Sequence, residues 1–368
     1  MNPIEKVQLL GQSIWYDNIN RELINNGYIK NLLDIGITGL TSNPTLFEKA
    51  ISNSKLYDQD LLNFSKSDLS TEQIFEELAV EDIRSVAALL HPIYEKTNKK
   101  DGYVSLEVNP KLAFDSNKTI LEAKRLYNKL DCPNIMIKVP GTDEGVIALE
   151  ALISEGININ VTLIFSQRSY SKVREGYILG LEKFEQKGGD LSQVHSVASF
   201  FISRVDTIID KQLNGLSSSF NKVRQKLLNC IGISNAKIAY EEFNKTFNSE
   251  RFNSLLAKGA NVQRPLWAST STKNPDLSDV LYIDSLIGNN TVNTIPDNTL
   301  KAFVDHGSNI STLNNNVAEA KSNIQLLASV EINLEKYLDL LLIEGIKSFT
   351  QSYEELISNI ETKIKSLI

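Results

Sequence analysis

Cysteine, histidine and tryptophan are scarce in this 368-residue chain, which has two, three and two of them. Cys132 and Cys230 cannot build a disulfide framework, so a reducing, cytoplasmic compartment is expected. His91, His195 and His306 lie far apart in sequence, which removes the usual ligand spacing of a zinc site; no metal is expected, and His195 reads as structural. Neither G-x-G-x-x-G nor G-x-x-x-x-G-K-[ST] occurs, nor a nucleophile elbow, so nothing marks a nucleotide cofactor or a hydrolase serine. An excess of basic charge is also missing. Lys and Arg number 38 against 45 Asp and Glu, a net charge of −7, which argues against nucleic acid and anionic lipid as partners. No uninterrupted apolar run reaches the roughly 18 residues of a membrane span, and the start MNPIEKVQLLGQS lacks the basic and apolar regions of a secretory leader. A soluble protein is expected.

What is present is a rhythm. With 42% hydrophobic and 23% charged residues the chain can bury a sizeable core. Short apolar runs alternate with amphipathic helical stretches, the pattern of βα units around a parallel sheet. The runs are SIWYD (13–17), ITGLTSN (37–43), YVSLEVN (103–109), IMIKVP (135–140), INVTLIF (159–165), VASFF (197–201), PLWASTS (265–271) and TVNTIP (291–296). Eight strands close a (β/α)8 barrel, a TIM barrel. Helical periodicity is clear in 72–96 and 117–130, and the long gaps before the third strand and over 205–263 predict additional helices. Beyond Val304 only helical periodicity remains. The expected organisation is a barrel domain over 1–310 and a C-terminal helical extension over 311–368 packed on it.

Polar residues interrupt the strands on one face. In IMIKVP, Ile135, Ile137 and Val139 share the outward face, leaving Met136 and Lys138 inward. An isolated lysine there is costly to keep charged, and a neutral amine attacks carbonyls; equally, Lys138 could simply pair with a carboxylate. The same parity turns Ser105, Glu107 and Asn109 inward, aligns Thr162 with Asn160 and Asn43 with Thr41, and puts Asp17 on the face of Ser13 and Trp15. One such residue reads as a satisfied core group. Five strands ending in Asp17, Asn43, Glu107, Lys138 and Thr162 read as an active site, because this fold builds its sites at that end.

Taken together, SIWYDNINREL, GITGLTSNPTLFEKAI, VSLEVNP, IMIKVPGTDEG, INVTLIFS, VASFFISRVD and LWASTSTKNP resemble the transaldolases, in particular a longer form of about 370 residues, over essentially the whole chain. The resemblance implies metal-free, cofactor-free class I aldolase chemistry. In it a dihydroxyacetone unit passes from a ketose phosphate to an aldose phosphate in the pentose phosphate pathway, so sugar phosphates are the expected partners. Position by position it puts the Schiff-base lysine on Lys138 and the acid and base group on Asp17. It puts the holders of a catalytic water on Glu107 and Thr162, a ligand of the dihydroxyacetone hydroxyls on Asn43, and substrate and phosphate contacts on Ser199, Phe201 and Arg204. The shorter family form ends its seventh strand with an arginine where this chain reads ASTSTKN. Ser271 takes the simplest aligned position. Lys273 is then either the second phosphate cation or a solvated loop lysine, with Ser269 or Ser271 donating hydrogen bonds. Arg264, at the start of that strand, falls at the opposite barrel end. Two rival functions remain at this stage: a fructose 6-phosphate aldolase releasing free dihydroxyacetone, whose known relatives carry Tyr where this chain has Phe201, and a sugar-phosphate-binding protein without turnover.

Overall fold

The eight apolar runs form β1 (Gln12–Tyr16), β2 (Gly39–Thr41), β3 (Tyr103–Glu107), β4 (Ile135–Pro140), β5 (Ile159–Ile164), β6 (Ser196–Phe201), β7 (Arg264–Ala268) and β8 (Thr291–Ile295) in a computed structural model describing residues 2–368. Every strand pairs in parallel with the next, and β8 returns to β1, closing a (β/α)8 barrel. Strand parity sorts the side chains as the sequence predicts. Val104, Leu106, Ile135, Ile137 and Val139 join the core between strands and helices, while Trp15, Tyr103, Met136, Val197, Leu266 and Val292 fill the barrel interior. Each fully buried aliphatic side chain contributes roughly 1.5–3 kcal/mol, so the outward rows hold the helices in place. Trp15 requires glycine opposite it, because a Cβ on Gly39 would lie 2.5 Å from the indole.

The predicted helices form with their caps. Thr71–Lys96 starts from Ser70 in a reciprocal capping box with Gln73, and Ser116–Leu130 starts from Asp115. Extra helices occupy the gap after β2 (Pro44–Asn53, Asp58–Phe64) and the span before β7 (Asn221–Leu227, Ile231–Phe247, Glu250–Leu256). After β8 come Asp297–His306, Val317–Ala328 and Leu334–Leu367. The last of these folds back along the barrel: Leu356 and Ile360 join the main core, and Ser352 Oγ accepts from Thr45 Oγ1 at 2.8 Å. No described helix is long and apolar enough to cross a membrane.

Six strands, the first, second, third, fifth, seventh and eighth, end one to three residues earlier than the sequence reading places them, and in three the cause is visible. The second stops at Thr41 because Asn43 and Pro44 start a helix, with Asn43 Oδ1 accepting from Leu46 N at 3.1 Å. The seventh stops at Ala268, since Ser269 turns to φ +55° and leaves the ladder. The fifth ends at Ile164 after a register shift between Val161 and Ile164, where Leu163 adopts φ +58°. That bulge turns Leu163 from its expected outward direction into the cluster of Phe165, Phe201 and Phe349 at the barrel's C-terminal end.

Candidate active site

Strand register puts the two inward ionisable residues side by side, with Glu107 on β3 directly opposite Lys138 on β4. Lys138 Nζ lies 3.3 Å from Glu107 Oε2 and donates to the Ser42 carbonyl at 2.9 Å, with both side chains under a tenth exposed. Lys138 is therefore not isolated; of the two readings of its position, the carboxylate-paired one describes its surroundings. Asp17 follows β1 directly, its N–H bonded to the Ile295 carbonyl at 2.9 Å and its Oδ1 accepting from Thr41 Oγ1 at 2.8 Å. Thr41 Oγ1 is in turn 2.7 Å from Thr294 Oγ1.

Burial pushes the carboxyl of Asp17 above its ordinary range, against the opposing pull of Lys138, the Thr41 hydrogen bond and Arg204. Burial likewise raises Glu107, opposed by Lys138 and reinforced by Asp17. Two carboxyls whose charge burial disfavours thus share the field of one lysine. Below them the barrel is hydrogen-bonded: Ser199 Oγ donates to Asn160 Oδ1 at 2.7 Å, and Asn160 Nδ2 donates to Ser105 Oγ at 3.1 Å. Around Lys138, Glu107 Oε2 and Thr162 Oγ1 are buried without a hydrogen-bond partner among the described residues, the Lys138 contact of Glu107 being an ion pair outside hydrogen-bond geometry.

A cavity of about 280 Å³ opens above this group. Lys138, Asp17, Asn43, Thr162 and Ser199 line it, as do Phe201, Arg204, Ser269, Ser271 and Lys273. Glu107 alone of the singled-out residues is absent from that wall, sitting behind the Lys138 nitrogen. Arg204 lies in the first turn of Ser203–Asn214, its guanidinium carbon 5.4 Å from the centre of the Phe201 ring. It has no ion pair among the described residues; burial lowers its pKa while Asp17 pulls the other way. Lys273 is exposed and also has no ion pair among the described residues. Ser269 Oγ is 2.9 Å from Ser203 Oγ, which joins the loop after β7 to the helix carrying Arg204.

The C-terminal helix supplies what the sequence reading missed. Phe349 lines the cavity, and Gly345, one turn earlier, lies where a Cβ would be 3.0 Å from Leu163 Cδ2 and 3.8 Å from Arg204 Nη1. A glycine inside a 34-residue helix was the available signal. The histidines do not join the site. His195 lies by Tyr103 in the barrel interior, with ring centres 5.6 Å apart, while His91 and His306 are exposed. Arg264 bonds Ser13, Asp101 and the Lys100 carbonyl at the N-terminal barrel end. No group of three or more His, Cys, Asp and Glu side chains suited to a metal occurs among the described residues.

Fold and cluster together define a (β/α)8-barrel enzyme with a lysine-centred, carboxylate-flanked site. A family profile described as transaldolase/fructose-6-phosphate aldolase matches residues 14–360. A protein named transaldolase 2 from Nostoc sp. is 46% identical over all of this chain and 99% of its own length. Transaldolases from Trichodesmium erythraeum and Thermobifida fusca are 44% and 39% identical, covering 100% and 99% of this chain and 98% of their own lengths. The chain belongs to the transaldolase/fructose-6-phosphate aldolase family.

Proposed function

We propose that the protein is a transaldolase that moves a dihydroxyacetone unit from a ketose phosphate to an aldose phosphate through a Schiff base on Lys138. The observation that carries this reading is the placement of Lys138 in the cavity lining, its Nζ 3.3 Å from Glu107, with Asp17 and Thr162 lining the same cavity. Glu107 accepts a proton from the ammonium, and the free amine attacks the ketose carbonyl. Water leaves, its proton transfers assisted by Glu107 and Thr162, whose unpartnered oxygens suit a shared water, and an iminium forms. Asp17 takes the proton of the C4 hydroxyl as the C3–C4 bond breaks. The bonding pair passes into an enamine on Lys138, and the shortened aldose phosphate departs. Attack on the acceptor aldehyde reverses these steps, Asp17 returning the proton to the new hydroxyl, and water then releases the product from Lys138.

Arg204 and Lys273 hold the substrate phosphate with Ser269 and Ser271, Asn43 holds a dihydroxyacetone hydroxyl, and Ser199 lines the cavity. Phe201 has no hydroxyl to hold a water at the enamine, which favours transfer over release. Residues 1–310 form the catalytic barrel and 311–368 the helices packed on it, and the unpaired Cys132 and Cys230 suit a reducing, cytoplasmic setting. The deciding assay incubates fructose 6-phosphate with and without erythrose 4-phosphate. Acceptor-dependent formation of sedoheptulose 7-phosphate, with little free dihydroxyacetone, is expected; dihydroxyacetone released as fast without acceptor would make the protein an aldolase.

A further inference from the structure

The two cations proposed to hold the phosphate stand on separate segments, Arg204 on a helix and Lys273 on the loop after β7. Their spacing depends on what fixes that loop. At its near end the link is the serine pair, reinforced by Ser203 N–H donating to the Ser269 carbonyl at 3.0 Å. At its far end Tyr282, in the short helix Leu281–Asp284, donates its hydroxyl to Asp206 Oδ2 at 2.9 Å. Asp206 lies in the same first turn as Arg204 and also accepts from Gly232 N at 2.7 Å, so it joins three segments. Between these two links a hollow lies between loop and helix. A cavity of about 340 Å³ separates them, lined by Asp206, Thr207, Asp210 and Tyr282 on one side and by Lys273 and Leu277 on the other. Lys273 thus faces both this hollow and the active-site cavity. Asp206 is costly to keep buried, since desolvation pushes its carboxyl up to about 7, and it touches no part of the active-site cavity wall.

We propose that Asp206 and Tyr282 are a positioning pair that holds the loop so that Lys273 meets the substrate phosphate together with Arg204; this rests on the transaldolase reading and on Lys273 as the second phosphate cation. Val280, Tyr282 and Ile283 are buried in the main core and His306 Nε2 lies 2.8 Å from Asp279 Oδ1, so losing the Tyr282 hydroxyl shifts the loop over the hollow and does not free it. The pair acts through Lys273, so its loss weakens phosphate capture and leaves chemistry at Lys138 untouched.

The test compares Tyr282→Phe, Asp206→Asn, Lys273→Ala and the Tyr282→Phe/Lys273→Ala double variant with the unaltered protein. Tyr282→Phe should raise KM for fructose 6-phosphate, and the inhibition constant of inorganic phosphate, by about three- to tenfold, the worth of one hydrogen bond, with kcat little changed. Borohydride trapping of unphosphorylated dihydroxyacetone should keep its rate. Asp206→Asn, whose Oδ1 can still accept from Gly232 N–H while its Nδ2 donates to the Tyr282 hydroxyl, should fall between the two proteins. In the Lys273→Ala background Tyr282→Phe should add nothing further. A full additional loss in the double variant, equal slowing of dihydroxyacetone trapping, or an unchanged KM would each overturn the proposal. Failure of the unaltered protein to form any adduct from fructose 6-phosphate would instead defeat the transaldolase reading, which separates the two failures.

Discussion

The barrel interior holds a buried cation and carboxylate at each end, and the two pairs are built differently. At the N-terminal end Arg264 bonds Asp101 at 3.1 Å, Ser13 Oγ at 2.8 Å and the Lys100 carbonyl at 2.6 Å. Asp101 also accepts from Ser13 Oγ at 2.6 Å and Trp15 Nε1 at 3.0 Å. Both carboxylate oxygens of Asp101 thus accept hydrogen bonds, and two guanidinium nitrogens of Arg264 donate them. At the C-terminal end Lys138 has one carbonyl and one carboxylate at ion-pair distance, and Glu107 Oε2 and Thr162 Oγ1 have no hydrogen-bond partner among the described residues. Satisfaction of hydrogen bonds, more than burial, separates a structural pair from a reactive one.

The largest contrast should come from removing each cation. Lys138→Met should abolish transfer, and Lys138→Arg should do the same despite its charge, because a guanidinium stays protonated. Arg264→Met should leave kcat near that of the unaltered protein while costing about 3–5 kcal/mol in denaturant unfolding, since Asp101 is left buried without its countercharge. Lys138→Met should cost clearly less stability than Arg264→Met, because burial already raises Glu107 and lets it take up a proton. Equal stability losses for the two variants would erase the distinction between the ends.

A smaller effect sharpens the reading of the cavity rim. Arg204→Ala should weaken phosphorylated substrates by roughly 1.5–3 kcal/mol in kcat/KM, the worth of a charged hydrogen bond, and spare dihydroxyacetone. The exposed Lys273, replaced by alanine, should show the same selectivity at smaller size. Equal losses with dihydroxyacetone would give Arg204 a structural role.

The remaining prediction concerns pH and again the N-terminal end. Burial, reinforced by Arg264, lowers His195 from 6.5 to about 4, so the fold favours the neutral ring. The stability this represents is present above pH 6.5 and is lost as pH falls toward 4. Unfolding curves of His195→Asn and the unaltered protein should therefore converge as pH falls through that window; parallel curves would show that His195 does not titrate with folding.

Much of this site was legible from strand parity. Lys138, Glu107 and Thr162 alternate with outward Ile, Val and Leu, and a parallel barrel makes every such face converge at one end. The resemblance to the transaldolases then supplied Ser199, Phe201 and Arg204. Parity failed where the chain left ideal strand geometry. A bulge turns Leu163, and a positive φ takes Ser269 off its strand, because two-residue alternation says nothing once the ladder breaks. Phe349 was not legible at all. Its place follows from how Leu334–Leu367 packs against Pro44–Asn53, a long-range contact that local periodicity does not encode. The partner of Lys138 was open in sequence because register, which aligns it with Glu107, appears only when strands pair.

The central claim is that Lys138 at the unsaturated end carries the covalent chemistry. Borohydride reduction of the protein with fructose 6-phosphate, followed by peptide mass mapping, tests it most directly. A three-carbon addition on the peptide containing Lys138, absent from Lys138→Met, is the predicted result. The same addition on another lysine, or turnover with no adduct at all, would contradict it.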